Sequence, residues 1–484
     1  MARPTKRTKI VATIGPASDS EEMLRQLIDA GMDVARLNFS HRPAEQAKSL
    51  VERIRGVADA MGVFVGILGD LRGPRIRVGE MEGGSVELRR GNRIILTSEK
   101  VIGTSEKIAV SFKGLCRDVI PASILLLDDG NIELQVVDIK PSGDIHCEIA
   151  RGGELKSNKG VNVRNRLVSL PSLTTKDYVD LDFAVEEQLD FLALSFVQSA
   201  SDVRFLKQAL SERGASIPVI AKIERQNALD DIQSIVRECY GVMVARGDLA
   251  LEMSFEDVPI AQKRIISVCR NEGVPVITAT QMLESMISFH KPTRAEAADI
   301  ANAILDGTDA VMLSAESAVG KFPVEAVATM ATIARRAEAA WTGGELPLLP
   351  TLPDRGDLEA AVANAVHAIA KSVSAKAIIA ATASGGTPRR VACHRPKMPI
   401  LALCSTEEVC RRLALSWGVQ PTLVESISGT AHLVKLSAEA AIRILGAKMS
   451  DVMAIVAGTP FNTAGRTNLI KIEEIGTALK AIAE

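Results

Sequence analysis

PVIAKIERQNALDDI, residues 218 to 232, opens with a short β-branched apolar run broken by one lysine, Lys222, and closed by one glutamate, Glu224. A run of that length and make-up reads as a buried strand. Positions i and i+2 of a strand share a face, so Lys222 and Glu224 point the same way. Seven more runs have this texture: KIVATIG from 9, DVARLNFS from 33, VFVGILGDL from 63, FLALSF from 191, YGVMVARGD from 240, PVITAT from 275 and AVMLSAE from 310. Helical patterns such as SEEMLRQLIDAG and DVPIAQKRIISVCRNEG separate them. Strands alternating with helices predict a parallel α/β fold, and eight such strands close a (β/α)8 TIM barrel.

Between the third and fourth runs the texture changes. IRVGEMEGGSVELRRGNRIILTSE and LLLDDGNIELQVVDIKPSGDIHCEIA alternate and carry turn residues without a helical period, which predicts an inserted β-rich domain. After the last barrel run, TGGELPLLPTLPDRGD has the composition of a linker. Beyond it AKAIIAATA, PILALC, PTLVES, DVMAIVAG and NLIKIEEI resume an α/β rhythm. The expected organisation is barrel over 1–71 and 169–342, insertion over 72–168, linker over 343–355 and a smaller C-terminal α/β domain over 356–484.

Composition narrows the partners. With 57 basic and 59 acidic residues in 484, and no Lys/Arg block interleaved with aromatics, neither nucleic acid nor a membrane surface is the expected target. A small molecule is. The seven scattered cysteines form no CxxC, the pattern of reduced thiols in a cytoplasmic chain. The basic start lacks an apolar targeting core, and no run approaches the roughly 20 apolar residues of a membrane span.

Polar residues gather where the barrel runs end, which is the catalytic face of such barrels. Strand two delivers Arg36, Asn38 and Ser40; strand three, Asp70; strand four, Ser195; strand five, Lys222 and Glu224. Strand six ends in Arg246 and Asp248, strand seven in Thr280 and Gln281, strand eight in Ser314 and Glu316. On adjacent strands, Glu224 and Asp248 are placed to share one hard cation, with Mg²⁺ or Mn²⁺ favoured because none of the six histidines has a zinc-ligand spacing. A plain Lys–Glu ion pair at the rim is the competing reading. Arg36 and Lys222 suit a phosphoryl group, and the ARGDLA turn offers backbone N–H groups to a carboxylate.

These residues sit in stretches that together resemble pyruvate kinases: KIVATIGPAS, ARLNFSH, DLRGPRIR, LLLDDG, NKGVNV, AKIERQNALDDI, VMVARGDLALE, ATQMLESMI, KPTRAEAADIANAILDGTDAVMLSAESAVGKFP and TASGGT. They run in the family's order over essentially the whole chain. The resemblance implies a barrel, a β-rich lid and a C-terminal regulatory domain, usually assembled as a homotetramer. It implies phosphoryl transfer from phosphoenolpyruvate to ADP, giving pyruvate and ATP. Arg36 and Lys222 would hold the phosphoryl group, Glu224 and Asp248 the divalent ion, and Ser195, Gly247, Asp248 and Thr280 would meet the substrate. Ser314 and Glu316 lie toward the family's proton-delivery network. The proton donor is either Lys222 or a water chain past Thr280 and Ser314. Arg77, Lys159 and one of Asp128 and Asp129 match nucleotide-side and lid positions, although Asp-Gly is also a turn signal in its own right. Arg246 has a structural ion-pair reading, and His41 reads equally as a rim histidine.

TASGGT, between a strand and a helical stretch, has the residues of a phosphate cradle. By resemblance Thr382, Ser384, Gly385 and Thr387 become contacts of a phosphorylated effector. One departure stands out. Many family members hold K⁺ with residues matching Asn38, Ser40, Asp70 and the carbonyl at position 71, within DTKGPEIR. Here the stretch is DLRGPRIR, with Leu71 for threonine and Arg75 for glutamate. The guanidinium is expected to replace the ion, so K⁺ is not expected to be required. Two rival functions remain: another metal-dependent barrel enzyme of phosphoenolpyruvate or pyruvate, such as an aldolase or lyase, and a non-catalytic metabolite sensor.

Overall fold

The computed structural model describes residues 6–40, 44–164, 166, 168–343, 349–350, 352–353, 356–463 and 465–483. His41 and most of the expected linker, residues 344–348, 351, 354 and 355, lie outside them.

The eight expected runs close into one parallel barrel. Its strands, one to eight, are Lys9–Thr13, Val34–Asn38, Gly66–Asp70, Phe191–Leu194, Val219–Ile223, Gly241–Ala245, Val276–Ala279 and Ala310–Leu313. Six of the eight are buried along their whole length, since barrel filling covers one face and helices the other. That is why they read as continuous apolar runs. The helices between them start on sequence-legible caps. Ser20 Oγ accepts from Met23 N at 3.2 Å, and Thr293 forms a reciprocal box with Glu296.

The chain leaves strand three through Gly73, whose φ of +68° suits glycine and whose N–H donates to Asp177 Oδ1 at 3.1 Å. A side chain there would also crowd Ser195 Cβ at 3.0 Å. The insertion then builds a seven-stranded sheet in the order Ile76–Arg77, Gly160–Val163, Ile124–Leu127, Ile132–Ile139, Ile145–Arg151, Arg93–Thr97, Lys107–Ala109. Residues such as Leu96, Leu125, Leu134 and Ile145 give it an apolar core separate from that of the barrel.

All five C-terminal strands appear, with PTLVES shifted to Val419–Leu423. Four are parallel, and Leu469–Glu474 is an antiparallel edge beside Val452–Ala457. This sheet's helices meet the barrel at the end opposite the mouth. There Arg411 pairs with Asp190, just before strand four, at 2.9 Å, and Arg395 with Asp309, just before strand eight, at 3.0 Å.

Candidate active site

At the mouth Asp70 is the hub. Arg36 Nε donates to its Oδ2 at 2.7 Å, Arg36 Nη2 lies 2.6 Å from the same oxygen, and Lys222 Nζ is 3.4 Å from Oδ1. Arg36 Nη1 also donates to Thr13 Oγ1 at 2.8 Å, which fixes the guanidinium. Lys222 Nζ donates to Ser195 Oγ at 2.7 Å, and that hydroxyl donates to the Leu71 carbonyl at 2.8 Å. Glu224 Oε1 is 2.9 Å from Lys222 Nζ, so the strand-face argument holds.

The charges are out of the ordinary. Burial pushes the Asp70 carboxyl up, but Lys222 and Arg36 outweigh it and hold it below the usual carboxylate value. For Lys222, burial acts downward while Asp70 and Glu224 act upward and prevail, so the ammonium is held above the ordinary lysine value. Glu224 is pushed up, by burial first and then by Asp248, despite Lys222. Its Oε2 accepts from the Phe196 amide at 2.6 Å, while buried Oε1 has the Lys222 ammonium at 2.9 Å. A buried carboxylate repelled by a second carboxylate is an arrangement that a hard divalent cation fits.

These groups share a cavity of about 460 Å³ that also takes in Asn38, Ser40, Leu71 and Asp248. Asn38 Oδ1 accepts from Ser40 N at 3.1 Å. Three arginines from DLRGPRIR enter the same space. Arg75 Nη2 reaches Asp248 Oδ1 at 3.1 Å, with Asp129 Oδ1 at 3.7 Å, and its guanidinium lies over Phe196 at 5.7 Å. Arg77 Nη1 donates to the Asn158 carbonyl at 2.7 Å. Arg72, which sequence reasoning passed over, lines the cavity without an ion pair among the described residues. Phe196 was also passed over. It holds Glu224 by its amide and takes Arg225 on its ring at 5.5 Å. Its only sequence signal was its place at the end of strand four.

Other expected residues stand further off. ARGDLA forms no open turn: a helix, Arg246–Glu252, begins directly after strand six. The Gly247 amide is already taken by Thr280 Oγ1 at 2.9 Å. Thr280 and Gln281 hold φ of +67° and +55°, strained values for side-chain-bearing residues at a strand end. Arg246 forks onto Asp299 at 2.8 and 2.6 Å and donates to the Thr280 carbonyl at 2.6 Å, a structural tie. The Ser314 amide donates to Glu316 Oε2 at 2.7 Å, and Glu316 Oε1 accepts from Leu283 N, which makes Glu316 a buried loop anchor. Thr280 and Ser314 do not line the cavity.

In the insertion, Asp128 and Asp129 both take positive φ in a hairpin turn, as the turn reading expected. Lys159 Nζ lies 2.6 Å from Asp128, whereas Asp129 faces Arg75. In the C-terminal domain Thr382, Ser384 and Thr387 line a cavity of about 150 Å³, joined by Arg389, Arg390 and Arg466. Thr382 Oγ1 accepts from the Gly385 amide at 2.8 Å, and Thr387 Oγ1 meets Thr467 Oγ1 at 2.8 Å. Gly385 itself shapes the turn at φ +84° and does not line the space.

Comparison with known proteins places this geometry. The family model described as pyruvate kinase, barrel domain, matches residues 5–327, and that described as pyruvate kinase, alpha/beta domain, matches residues 360–473. Curated pyruvate kinases of Staphylococcus aureus strains MRSA252 and USA300 are each 46% identical over 477 residues, covering 97% of this chain and 81% of theirs. The crystal structure of a pyruvate kinase from Cryptosporidium parvum superposes with a TM-score of 0.89 at 37% identity, over 97% of this chain and 96% of that one. Neither the aldolase or lyase alternative nor the metabolite sensor is favoured by these likenesses. Matched over barrel and C-terminal domain alike, the chain belongs to the pyruvate kinase family.

Proposed function

We propose that this chain transfers the phosphoryl group of phosphoenolpyruvate to ADP at the barrel mouth, with Arg36 and Lys222 holding the migrating group. The observation that carries this reading is the Lys222 ammonium, buried among Asp70, Ser195 and Glu224 at the floor of the cavity. Phosphoryl transfer asks mainly for positioning and for cations around developing charge. Arg36, locked by Asp70 and Thr13, supplies both with little reorganisation. Lys222 also offsets charge on the enolate oxygen.

Glu224 and Asp248 would hold Mg²⁺ or Mn²⁺, which would supply positive charge to offset the negative charge developing in the reaction. The enolate takes its proton from Lys222 or from a water chain past Thr280 and Ser314. Ser195, Gly247 and Thr280 orient the substrate side. Arg77, Asp129 and Lys159 serve the nucleotide side, with the insertion over 72–168 closing as a lid to exclude water. Asp128, tied to Lys159, positions it.

From the cavity it shares with Asn38, Ser40, Asp70 and Leu71, Arg75 would supply the charge of a monovalent cation, so K⁺ is not needed. A phosphorylated effector binds at Thr382, Ser384, Gly385 and Thr387, and the arginines around that cavity support an anionic ligand. Exposed Phe255, Ile260 and Phe289 support assembly, as the homotetramer common in the family, and the reaction belongs in the cytoplasm.

Lys222→Met tests the central assignment. ADP-dependent pyruvate formation should lose at least about a thousandfold in kcat while Mn²⁺ binding persists. A variant within tenfold of the wild-type kcat would sink it.

A further inference from the structure

Away from both the mouth and the Thr382–Thr387 loop, a cavity of about 190 Å³ lies where the barrel meets the C-terminal domain. Its apolar lining comes from Trp341, Leu349, Pro350, Leu352 and Met398. The same lining carries the cationic side chains Arg270, Lys371, Arg395 and Lys397 and two histidines, His367 and His394. Among the described residues no carboxylate lines it. The buried Asp309 is already engaged by Arg395 at 3.0 Å and by the Trp417 amide at 3.4 Å.

The basic groups crowd one another. The His367 and His394 rings stack with centroids 5.6 Å apart at 19°. Burial, then His367 and Arg270, push His394 down to about 4, and burial followed by Arg395 lowers Arg270 to about 10. Two polar atoms of lining residues, Trp341 Nε1 and His367 Nδ1, are buried without a hydrogen-bond partner. Trp341 is 5% exposed. Unsatisfied buried groups are costly, and like charges gathered in a low-dielectric pocket are relieved by an anion. The Trp341 ring and the aliphatic side chains of the lining suit a flat ring.

We propose that this junction cavity binds a small organic anion built on a flat ring, the anionic group against Lys371, His394 and Lys397 and the ring against Trp341. Such a ligand would bridge the helix Pro323–Gly343 of the barrel and the helix Leu358–Ser372 of the C-terminal domain. It would thereby set how firmly the two domains are pinned together.

The chain supplies its own reporter. Trp341 and Trp417 are its only two tryptophans, and their rings meet edge-on at 5.8 Å beside this cavity. Phenyl phosphate added to the full-length protein should change tryptophan emission saturably. Inorganic phosphate, which lacks the ring, and benzamide, which lacks the charge, should bind at least about tenfold more weakly. The double variant Lys371→Met, Lys397→Met removes two exposed cations remote from the mouth. It should weaken phenyl phosphate by about tenfold or more and leave basal turnover unchanged. Absence of a saturable change, equal binding of benzamide, or an unaltered affinity in the double variant would each overturn the proposal. So would a response that vanishes in Ser384→Ala, Thr387→Ala instead, which would assign the signal to the other loop. Because the readout is binding, a failure here leaves the catalytic assignments untouched.

Discussion

In K⁺-free buffer the wild-type enzyme is expected to work at close to its full rate, and the double exchange Leu71→Thr, Arg75→Glu is expected to create a K⁺ requirement. Arg75 Nη2 stands 3.1 Å from Asp248 Oδ1 and 3.7 Å from Asp129 Oδ1. A unit charge at about 4 Å is worth roughly 4 kcal/mol at an effective dielectric near 20. The two side chains of the Arg75–Asp248 pair are 31% and 26% exposed, and that much solvent reduces the net effect to about 1–2 kcal/mol. In kcat/KM this is a loss of roughly 5- to 30-fold. Glutamate reverses the charge beside Asp248, and threonine places a hydroxyl where Leu71, 1% exposed, now packs into the barrel core. That second change costs about 1–3 kcal/mol of stability, so a thermal melt accompanies the kinetics. The assay is pyruvate formation coupled to lactate dehydrogenase in tetramethylammonium buffer, with K⁺ titrated back at constant ionic strength. K⁺ should restore the variant and leave the wild type nearly unchanged. Strong K⁺ activation of the wild-type enzyme would refute the reasoning, as would a folded variant that K⁺ fails to rescue.

Glu224→Gln and Asp248→Asn should each weaken Mn²⁺ binding by about tenfold or more, read by electron paramagnetic resonance of the free ion, because each removes one of two anionic ligands. Unchanged affinity in both would leave a structural ion pair as the better account of Glu224. Sugar phosphates or nucleoside monophosphates should lower the half-saturating phosphoenolpyruvate concentration by about fivefold or more, and Ser384→Ala, Thr387→Ala should abolish that response while sparing basal turnover. If none of these phosphates activates the wild type, the effector assignment is lost. Acid stability should depend on His394, which is lowered from 6.5 to about 4 by burial, His367 and Arg270. The native chain favours the neutral ring, so this contribution is whole above 6.5 and drains away as pH falls toward 4, by at most about 3 kcal/mol. The melting temperature of His394→Gln should therefore fall less over that window, and equal slopes for variant and wild type would contradict the assignment.

The barrel was legible because each strand is buried by filling on one side and helices on the other, which leaves an unbroken apolar run in the chain. The mouth was legible for a related reason. Polar residues such as Asp70, Ser195, Glu224 and Asp248 appear where those runs stop, and the end of a strand is where burial gives way to cavity. The lid and the C-terminal sheet followed from changes of period. Less was legible wherever a loop changed its backbone locally. ARGDLA proved to be a helix start with its Gly247 amide already bonded, and Thr280 took a left-handed conformation that no pattern around it announces.

By itself, then, the sequence determined the order of elements, the identity of the polar residues at the strand ends and the pairing of Lys222 with Glu224, because each depends on spacing along a few residues. Closure of the barrel decided the rest. It brings Asp70 on strand three to Arg36 on strand two and to Lys222 on strand five, and this joint contact, rather than any one residue, sets the charge state of the site. Packing of the insertion over the mouth carries Arg75 to Asp248, 173 positions along the chain, and docking of the C-terminal domain gathers four cationic side chains and two histidines beside Trp341. Coulomb energy and burial depend on distance through space, and distances of that kind exist only once the chain has folded.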